Sequence, residues 1–246
     1  MANLKEVKER IGSVTSTQQI TKAMKMVAAA KLRRAQDRII QLRPYSEKLA
    51  ALLGNVADSD MAEGMNTYGE EREVERVLIV PITSDRGLCG AFNANIIKAS
   101  KIAIGQLEGK SIEILPIGKK AFDKFKKEDY PLIDDHYEVF GDLTFEAVKL
   151  AAEHAMNQYE RGYYDKVILI YNEFKNVATQ IVQTEQFLPI LELEKAEDEA
   201  NNADYIYQPS QDSIVKELIP KSLKIQFYKA VLESNASEHG ARMTAM

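Results

Sequence analysis

A helix of about forty residues at the amino terminus constrains the fold of this chain more than any other feature. Neither glycine nor proline occurs between Ser13 and Arg43, and Pro44 is expected to end the helix because proline lacks a backbone donor. Asn3 and Glu6 have the spacing of a capping box, which indicates where the helix begins. At about 1.5 Å per residue, such a helix is on the order of 60 Å long, so much of it must lie outside any one compact domain.

A strict seven-residue frame runs along this helix and predicts that a second helix packs against it. Its positions alternate by steps of three and four without a slip, which is the pattern of a left-handed coiled coil. The apolar members of the frame are Leu4, Val7, Ile11, Val14, Ala28, Leu32, Ala35, Ile39, Leu42 and, beyond the proline, Leu49. The middle of the frame is polar, at Gln18, Thr21 and Lys25, so weak or hydrated pairing is expected there.

A second apolar line on the same helix, formed by Ile20, Met24 and Val27, faces away from the frame and predicts contact with a different partner. The alternative is that the helix is amphipathic and merely caps its own domain.

Charge is divided unevenly between this helix and the remaining chain. Residues 1–48 contain 11 Lys and Arg against 4 Asp and Glu, and the remainder contains 21 and 33. A basic arm of charge +7 is therefore attached to an acidic body of charge −12. Such asymmetry fits nucleic acid, an anionic membrane surface or an acidic protein partner. The arm has no interleaved aromatic residues, which argues against nucleic acid.

The composition is typical of a globular chain in a reducing compartment. Hydrophobic residues make up 45% and charged residues 28%, which excludes disorder as the default. No apolar run approaches the roughly 18 residues that span a bilayer, so the chain is not expected to cross a membrane. The start of the sequence does not resemble a signal peptide, and the single Cys89 cannot form an intrachain disulfide.

The pattern after the arm predicts an α/β domain with a mostly parallel sheet. Apolar runs at 76–84, 111–118 and 165–172 read as buried strands, and amphipathic stretches at 93–107, 119–128 and 145–161 read as helices between them. Residues 177–186 alternate apolar and polar side chains, as expected of an edge or antiparallel strand, and residues 205–207 suggest a short strand.

The domain organisation follows from these elements. Residues 1–53 are expected to form the amino-terminal helix and residues 54–75 an acidic linker. The α/β domain is assigned to residues 76–208 and a carboxyl-terminal helix to residues 209–246, with a kink or restart at Pro220.

The loop SDRGLCG at residues 84–90 is the strongest candidate for a chemical site. It lies between a predicted strand and a predicted helix, where α/β proteins bind phosphates through backbone N–H groups. The loop matches neither GxGxxG nor GxxxxGK[ST], so a tight turn competes with a nucleotide-binding enzyme as its explanation. Cys89 has no histidine nearby in sequence, and His136, His154 and His239 lack the spacing of metal ligands. Neither cofactor nor metal is therefore expected.

Three segments resemble the gamma subunit of the rotary, F-type ATP synthase in its bacterial form. They are ITKAMKMVAAAKLRRA at 20–35, SDRGLCGAFN at 84–93 and ASEHGARMTAM at 236–246, and they occur in the order found in that family. The resemblance implies a Rossmann-like layered domain flanked by long terminal helices that form an antiparallel coiled coil. It also implies that the chain continues beyond Met246; a helix ending there would leave the upper frame unpaired.

The family's role is that of a non-catalytic central-stalk rotor of the proton-translocating enzyme. The rotor couples rotation of the c-subunit ring to conformational cycling of the catalytic beta subunits. The implied partners are the alpha and beta subunits, the epsilon subunit and the c-subunit ring, with no nucleic acid and membrane contact only through partners. The implied location is peripheral, on the cytoplasmic side of the bacterial inner membrane.

The resemblance also implies roles for individual residues. The positions where the shaft would meet acidic helices of the beta subunits are Met24, Lys25, Arg33 and Arg34. The positions at the foot, near the c-subunit ring and epsilon, are Tyr205, Tyr207 and Gln208. The family usually has Glu at the last of these, so a carboxylate contact with the ring is in doubt. The chloroplast-type insertion with its cysteine pair is absent, so thiol switching is not expected.

Overall fold

A mixed four-stranded sheet and two long terminal helices organise the chain. The computed structural model describes residues 3–57, 68–69, 72–190 and 211–246. The helices are α1 (Leu4–Ala57), α2 (Phe92–Gln106), α3 (Lys119–Lys126), α4 (Phe145–Glu160) and α5 (Gln211–Ala245), with a 3₁₀ turn at Val139–Gly141. The strands are β1 (Arg76–Pro81), β2 (Ser111–Ile114), β3 (Lys166–Phe174) and β4 (Gln180–Leu188). No helix in these ranges is both long and apolar enough to cross a membrane.

The strand order of the sheet is β2-β1-β3-β4. β1 pairs in parallel with β2 and β3, with Ile79 opposite Ile114 and Ile168, whereas β3 and β4 are antiparallel. The α/β fold and its antiparallel strand were both predicted from sequence, and both are confirmed. The short strand expected at 205–207 lies outside the described residues.

Helices cover both faces of the sheet, which explains why β1 and β3 are almost continuously apolar. On one face, side chains such as Leu78 and Leu169 pack with residues of α4 and α5, including Ala152 and Phe227. On the other face, the side chains that alternate with these along each strand pack against α2. They are Val77, Ile79, Ile168 and Ile170. The alternation of side chains along each strand thus supplies two separate cores.

The prediction that α1 ends before Pro44 is wrong, because the helix runs through this proline to Ala57. Proline removes the hydrogen bond to the carbonyl of Ile40 four residues earlier. Both Pro44 and Ile40 are exposed, so this carbonyl lies on the side of the helix that faces water. Water can therefore replace the missing donor. The helix also enters the segment expected to begin the acidic linker.

Pro220 likewise lies inside α5, where a kink or restart was expected, and the helix continues from Gln211 to Ala245. Ile219 and Leu223 are buried on either side of it. Tertiary packing of an apolar face therefore holds the helix across the lost hydrogen bond.

Gly118 joins β2 to α3 in a conformation that only glycine adopts without strain. Its φ is 100°, and a Cβ atom there would overlap the carbonyl oxygen of Thr83. Thr83 is fixed because its N–H donates to the carbonyl of Ile117 (2.8 Å) and its Oγ1 accepts from the N–H of Ala121 (2.9 Å). Neither partner of the overlap can move away easily.

We expect Gly118→Ala to lower the free energy of unfolding by about 3 kcal/mol, because it combines a steric overlap with a disfavoured φ. Gly105→Ala is the matched control, since Gly105 is an exposed helical residue with open space around its Cα. The control should be unchanged or stabilised by about 0.5–1 kcal/mol. Urea unfolding followed by circular dichroism measures both, and equal stability of the two variants would contradict this account.

Candidate functional site at the junction of α5 with α1 and the sheet

Helix α5 lies across the carboxyl ends of β1 and β3. Because β2 and β3 lie on opposite sides of β1, this crevice is where open α/β sheets usually bind ligands. The Oγ of Ser234 donates to the carbonyl of Ile82 (3.3 Å), and the Oγ of Ser237 donates to the carbonyl of Asn172 (3.0 Å). Both serines are buried. The crevice is therefore filled by a helix of the same chain.

A buried carboxylate on α5 joins the same strand end to α1. Glu233 is only 3% exposed, and its Oε2 accepts a hydrogen bond from the N–H of Phe174 at 3.1 Å. Its Oε1 lies 3.9 Å from Nη2 of Arg43 on α1. Burial raises the pKa of Glu233 above its ordinary value, although Phe174 and Arg43 act in the opposite direction.

The loop at residues 84–90 folds as a tight turn held by its own polar groups. The N–H of Ser84 donates to Oδ1 of Asn93 (2.9 Å), and the Oγ of Ser84 donates to the carbonyl of Arg86 (2.7 Å). Leu88 and Gly90 have positive φ values of 63° and 60°. The turn interpretation of this loop is confirmed.

The side chain of Arg242 on α5 connects this loop to the helix. Its guanidinium donates to the carbonyls of Gly87 and Arg86 and pairs with the carboxylate of Glu238 one turn earlier. Both side chains of the pair are 12% exposed. Cys89 lies buried nearby, where the Nδ2 of Asn93 contacts its Sγ at 3.2 Å, as expected of a turn thiol rather than a nucleophile. The carbonyls of the loop are thus occupied by protein groups.

The seven-residue frame of α1 is covered by α5 only in its second half. Leu32, Ala35 and Ile39 form a buried cluster with Leu232 and Ala236 of α5. In addition, Ala28 and Leu49 are buried and Leu42 is half-buried. The β3–β4 hairpin contributes Phe174 and Val177 to the same cluster. The frame therefore identifies the packed face correctly over this stretch.

The first half of the frame is exposed. Leu4, Val7, Ile11 and Val14 are between 43% and 85% exposed, and no described residue covers them. Four apolar residues on one helical face form an exposed stripe, of the kind that marks an interaction surface.

The residues proposed to meet beta subunits do not form one cluster. Lys25, Arg33 and Arg34 are exposed, whereas Met24 is half-buried. Met24 lines a groove of about 660 Å³ between α1, α5 and the 84–90 loop. The foot residues Tyr205, Tyr207 and Gln208 lie outside the described residues.

The wall of this groove formed by α5 and the 84–90 loop is polar and carries Asp85, Arg86 and His239. Burial lowers the pKa of His239, so its imidazole is neutral at neutral pH. The groove thus combines a mostly apolar wall from α1 with a polar wall of mixed charge.

Sequence reasoning missed the side chains that attach α5 to the sheet. Glu233, Ser234 and Ser237 belong to a stretch in which small and polar residues interrupt an amphipathic helix, VLESNASEHGARM. Small residues permit close approach of a backbone, and buried hydroxyls require partners. This composition was the available signal, but the partner strands could not be identified from it.

Comparison with known proteins places these features in one family. A profile of the ATP synthase family matches residues 3–246. The chain is 55% identical over 253 residues to an ATP synthase gamma chain of Cytophaga hutchinsonii and 54% identical over 246 residues to that of Flavobacterium johnsoniae. Both matches cover the whole chain, which spans 86% and 85% of those relatives.

The fold is also similar to a solved structure of the central stalk and c-ring of the Tetrahymena thermophila mitochondrial ATP synthase. The TM-score is 0.66 at 26% identity, over 92% of this chain and 97% of the solved chain.

We expect Arg242→Met to lower the free energy of unfolding by about 3–5 kcal/mol, because it leaves the buried carboxylate of Glu238 without its guanidinium partner. The double variant Arg242→Met/Glu238→Gln also removes the charge of Glu238, so it should recover most of this loss. Lys221→Met is the control, since Lys221 and Glu217 form an exposed pair on the same helix that contributes at most about 1 kcal/mol. Urea unfolding measures the stability of all three variants. An equal loss of stability in Arg242→Met and Lys221→Met would contradict the role assigned to Arg242.

Proposed function

The chain belongs to the ATP synthase gamma-chain family and is a non-catalytic central-stalk subunit, and we propose that it acts as the rotor that couples c-ring rotation to the catalytic beta subunits. The observation that carries this proposal is the double attachment of α5. One set of its side chains contacts the sheet, and another packs against α1. A torque applied to the α/β body would therefore reach the exposed end of α1 through α5.

The shaft is an antiparallel coiled coil in this proposal. Ser46 and Leu49 line the same cavity as Ser222 and Ile225, whereas Met24 lines a groove with Arg242. Lower numbers on α1 thus meet higher numbers on α5, as antiparallel helices require. The frame residues buried between the two helices supply the apolar seam. The parallel strand order β2-β1-β3, which reverses at β1 as in doubly wound folds, supports a Rossmann-like body.

The partners we propose are the alpha and beta subunits around the shaft and the epsilon subunit and c-subunit ring at the foot. Exposed Lys25, Arg33 and Arg34 belong to an arm of charge +7, which favours acidic surfaces of the beta subunits. We assign Tyr205, Tyr207 and Gln208 to the foot from the resemblance alone. The enzyme would be peripheral on the cytoplasmic side of the bacterial inner membrane, driven by protons.

Reconstitution tests this function directly. Alpha and beta subunits of a close relative, mixed with this chain, should form a complex that hydrolyses ATP and rotates a probe fixed to the body. Failure to form any complex would overturn the proposal. Titration of the isolated chain with ATP or NAD provides a check on the alternative, because a stoichiometric site of micromolar affinity would instead indicate a nucleotide-binding enzyme.

We expect Met24→Lys to reduce proton pumping per ATP hydrolysed more than it reduces assembly, since it adds a charge to the groove without touching the frame. Met26→Lys is the matched control, because Met26 is 62% exposed and lies outside that groove. ATP-driven quenching of a pH-sensitive dye in vesicles, normalised to ATP hydrolysis, measures coupling. Equal loss of assembly and coupling in the Met24 variant would contradict this role.

A further inference from the structure

One buried acidic side chain contacts both parts that the rotor must keep aligned. Glu233 accepts a hydrogen bond from Phe174 at the end of β3 and lies beside Arg43 of α1. The other charged groups facing it are Glu173 on β3 and Lys229 on α5. Each of the three packed elements therefore presents at least one polar group to a single carboxylate.

Stability does not explain why this position carries a charge. A glutamine side chain has nearly the same shape and could also accept the hydrogen bond from the N–H of Phe174. Ionisation of Glu233 is costly in the folded state, because burial and the nearby Glu173 both raise its pKa. Stability associated with a raised carboxyl pKa is present at low pH and is lost as the pH rises through that pKa. We therefore expect the ionised carboxylate to cost stability relative to a neutral amide.

The negative charge of Glu233 attracts the guanidinium of Arg43 more strongly than the neutral amide of a glutamine would. The Arg43 side chain is 56% exposed and its Nη2 lies 3.9 Å from Oε1 of Glu233, so a hydrated guanidinium is attracted to a carboxylate held in the interior. Glu233 itself cannot turn freely, since it is buried and bonded to the backbone of β3. Rotation of α1 about its own axis would separate the two charges.

We propose that Glu233 is a positioning residue that holds α1 in a fixed rotational orientation relative to β3, through the pair Arg43–Glu233 and the hydrogen bond from Phe174. The inference rests on the proposed rotor function, because a fixed orientation matters when torque passes from the body to the shaft. The carboxylate contributes rigidity at this junction and lowers thermodynamic stability.

The isolated chain provides the decisive experiment. Spin labels on Asp37→Cys in α1 and Glu160→Cys in α4 report the distribution of distances between shaft and body; both residues are exposed, whereas native Cys89 is buried. Glu233→Gln should broaden this distribution by about twofold while the unfolding temperature at pH 8 stays the same or rises. The difference in unfolding temperature between Glu233→Gln and the parent chain should shrink as the pH is lowered. Glu217→Gln, the same change at an exposed site of α5, should leave the distribution unchanged and shift the unfolding temperature by no more than an exposed ion pair contributes.

Two further variants complete the test. Arg43→Gln should broaden the distribution to a similar extent, and Arg43→Gln/Glu233→Gln should be no broader than either single variant, because the two residues act as a pair. An unchanged distribution in Glu233→Gln, or a lower unfolding temperature at pH 8, would overturn the proposal. Rotation by the parent chain in a reconstituted complex is scored separately, so failure of the rotor function is distinguishable from failure of the positioning role.

Discussion

The attachment of α5 to the carboxyl ends of β1 and β3 is the constraint on which the rest of this structure depends. Without the hydrogen bonds of Ser234 and Ser237, two strand carbonyls would lie buried without donors. The same helix presents Leu232 and Ala236 to α1, so the packed half of α1 also depends on where α5 lies. A long, weakly amphipathic helix is unstable alone, and its position here is set by contacts on both sides.

Helix α5 occupies the crevice in which many α/β sheets bind a ligand. The crevice beyond the carboxyl ends of parallel strands is open in many such folds, and backbone groups there bind phosphates. In this chain, Arg242 occupies the carbonyls of Gly87 and Arg86, and the serines of α5 occupy the strand ends. The glycine-containing loop at 84–90 therefore contacts α5 through its carbonyl groups.

The fold was more predictable from sequence than the junction. Long apolar runs identified β1 and β3, and the seven-residue frame identified the face of α1 that α5 covers at Leu32, Ala35 and Ile39. The frame could not show that the face is exposed between Leu4 and Val14, because a periodic pattern does not reveal how far a partner reaches. Proline rules failed at Pro44 because local geometry gave no information on the solvent exposure of the freed carbonyl. The hydrogen bonds of Ser234 and Ser237 join residues 152 and 65 positions apart, and no local pattern encodes such pairs.

The polar side chains buried at this junction differ in how far their partners offset the cost of burying them. The hydroxyls of Ser234 and Ser237 are neutral, and each is satisfied by one carbonyl, so they stabilise the contact at little desolvation cost. Glu238 is also well satisfied, since Arg242 lies against it with both side chains shielded. Glu233 is the exception among them, because its cationic neighbour Arg43 is mostly in water and its pKa is raised. We attribute this buried carboxylate to the positioning role proposed above, in which it fixes the orientation of α1 on the sheet.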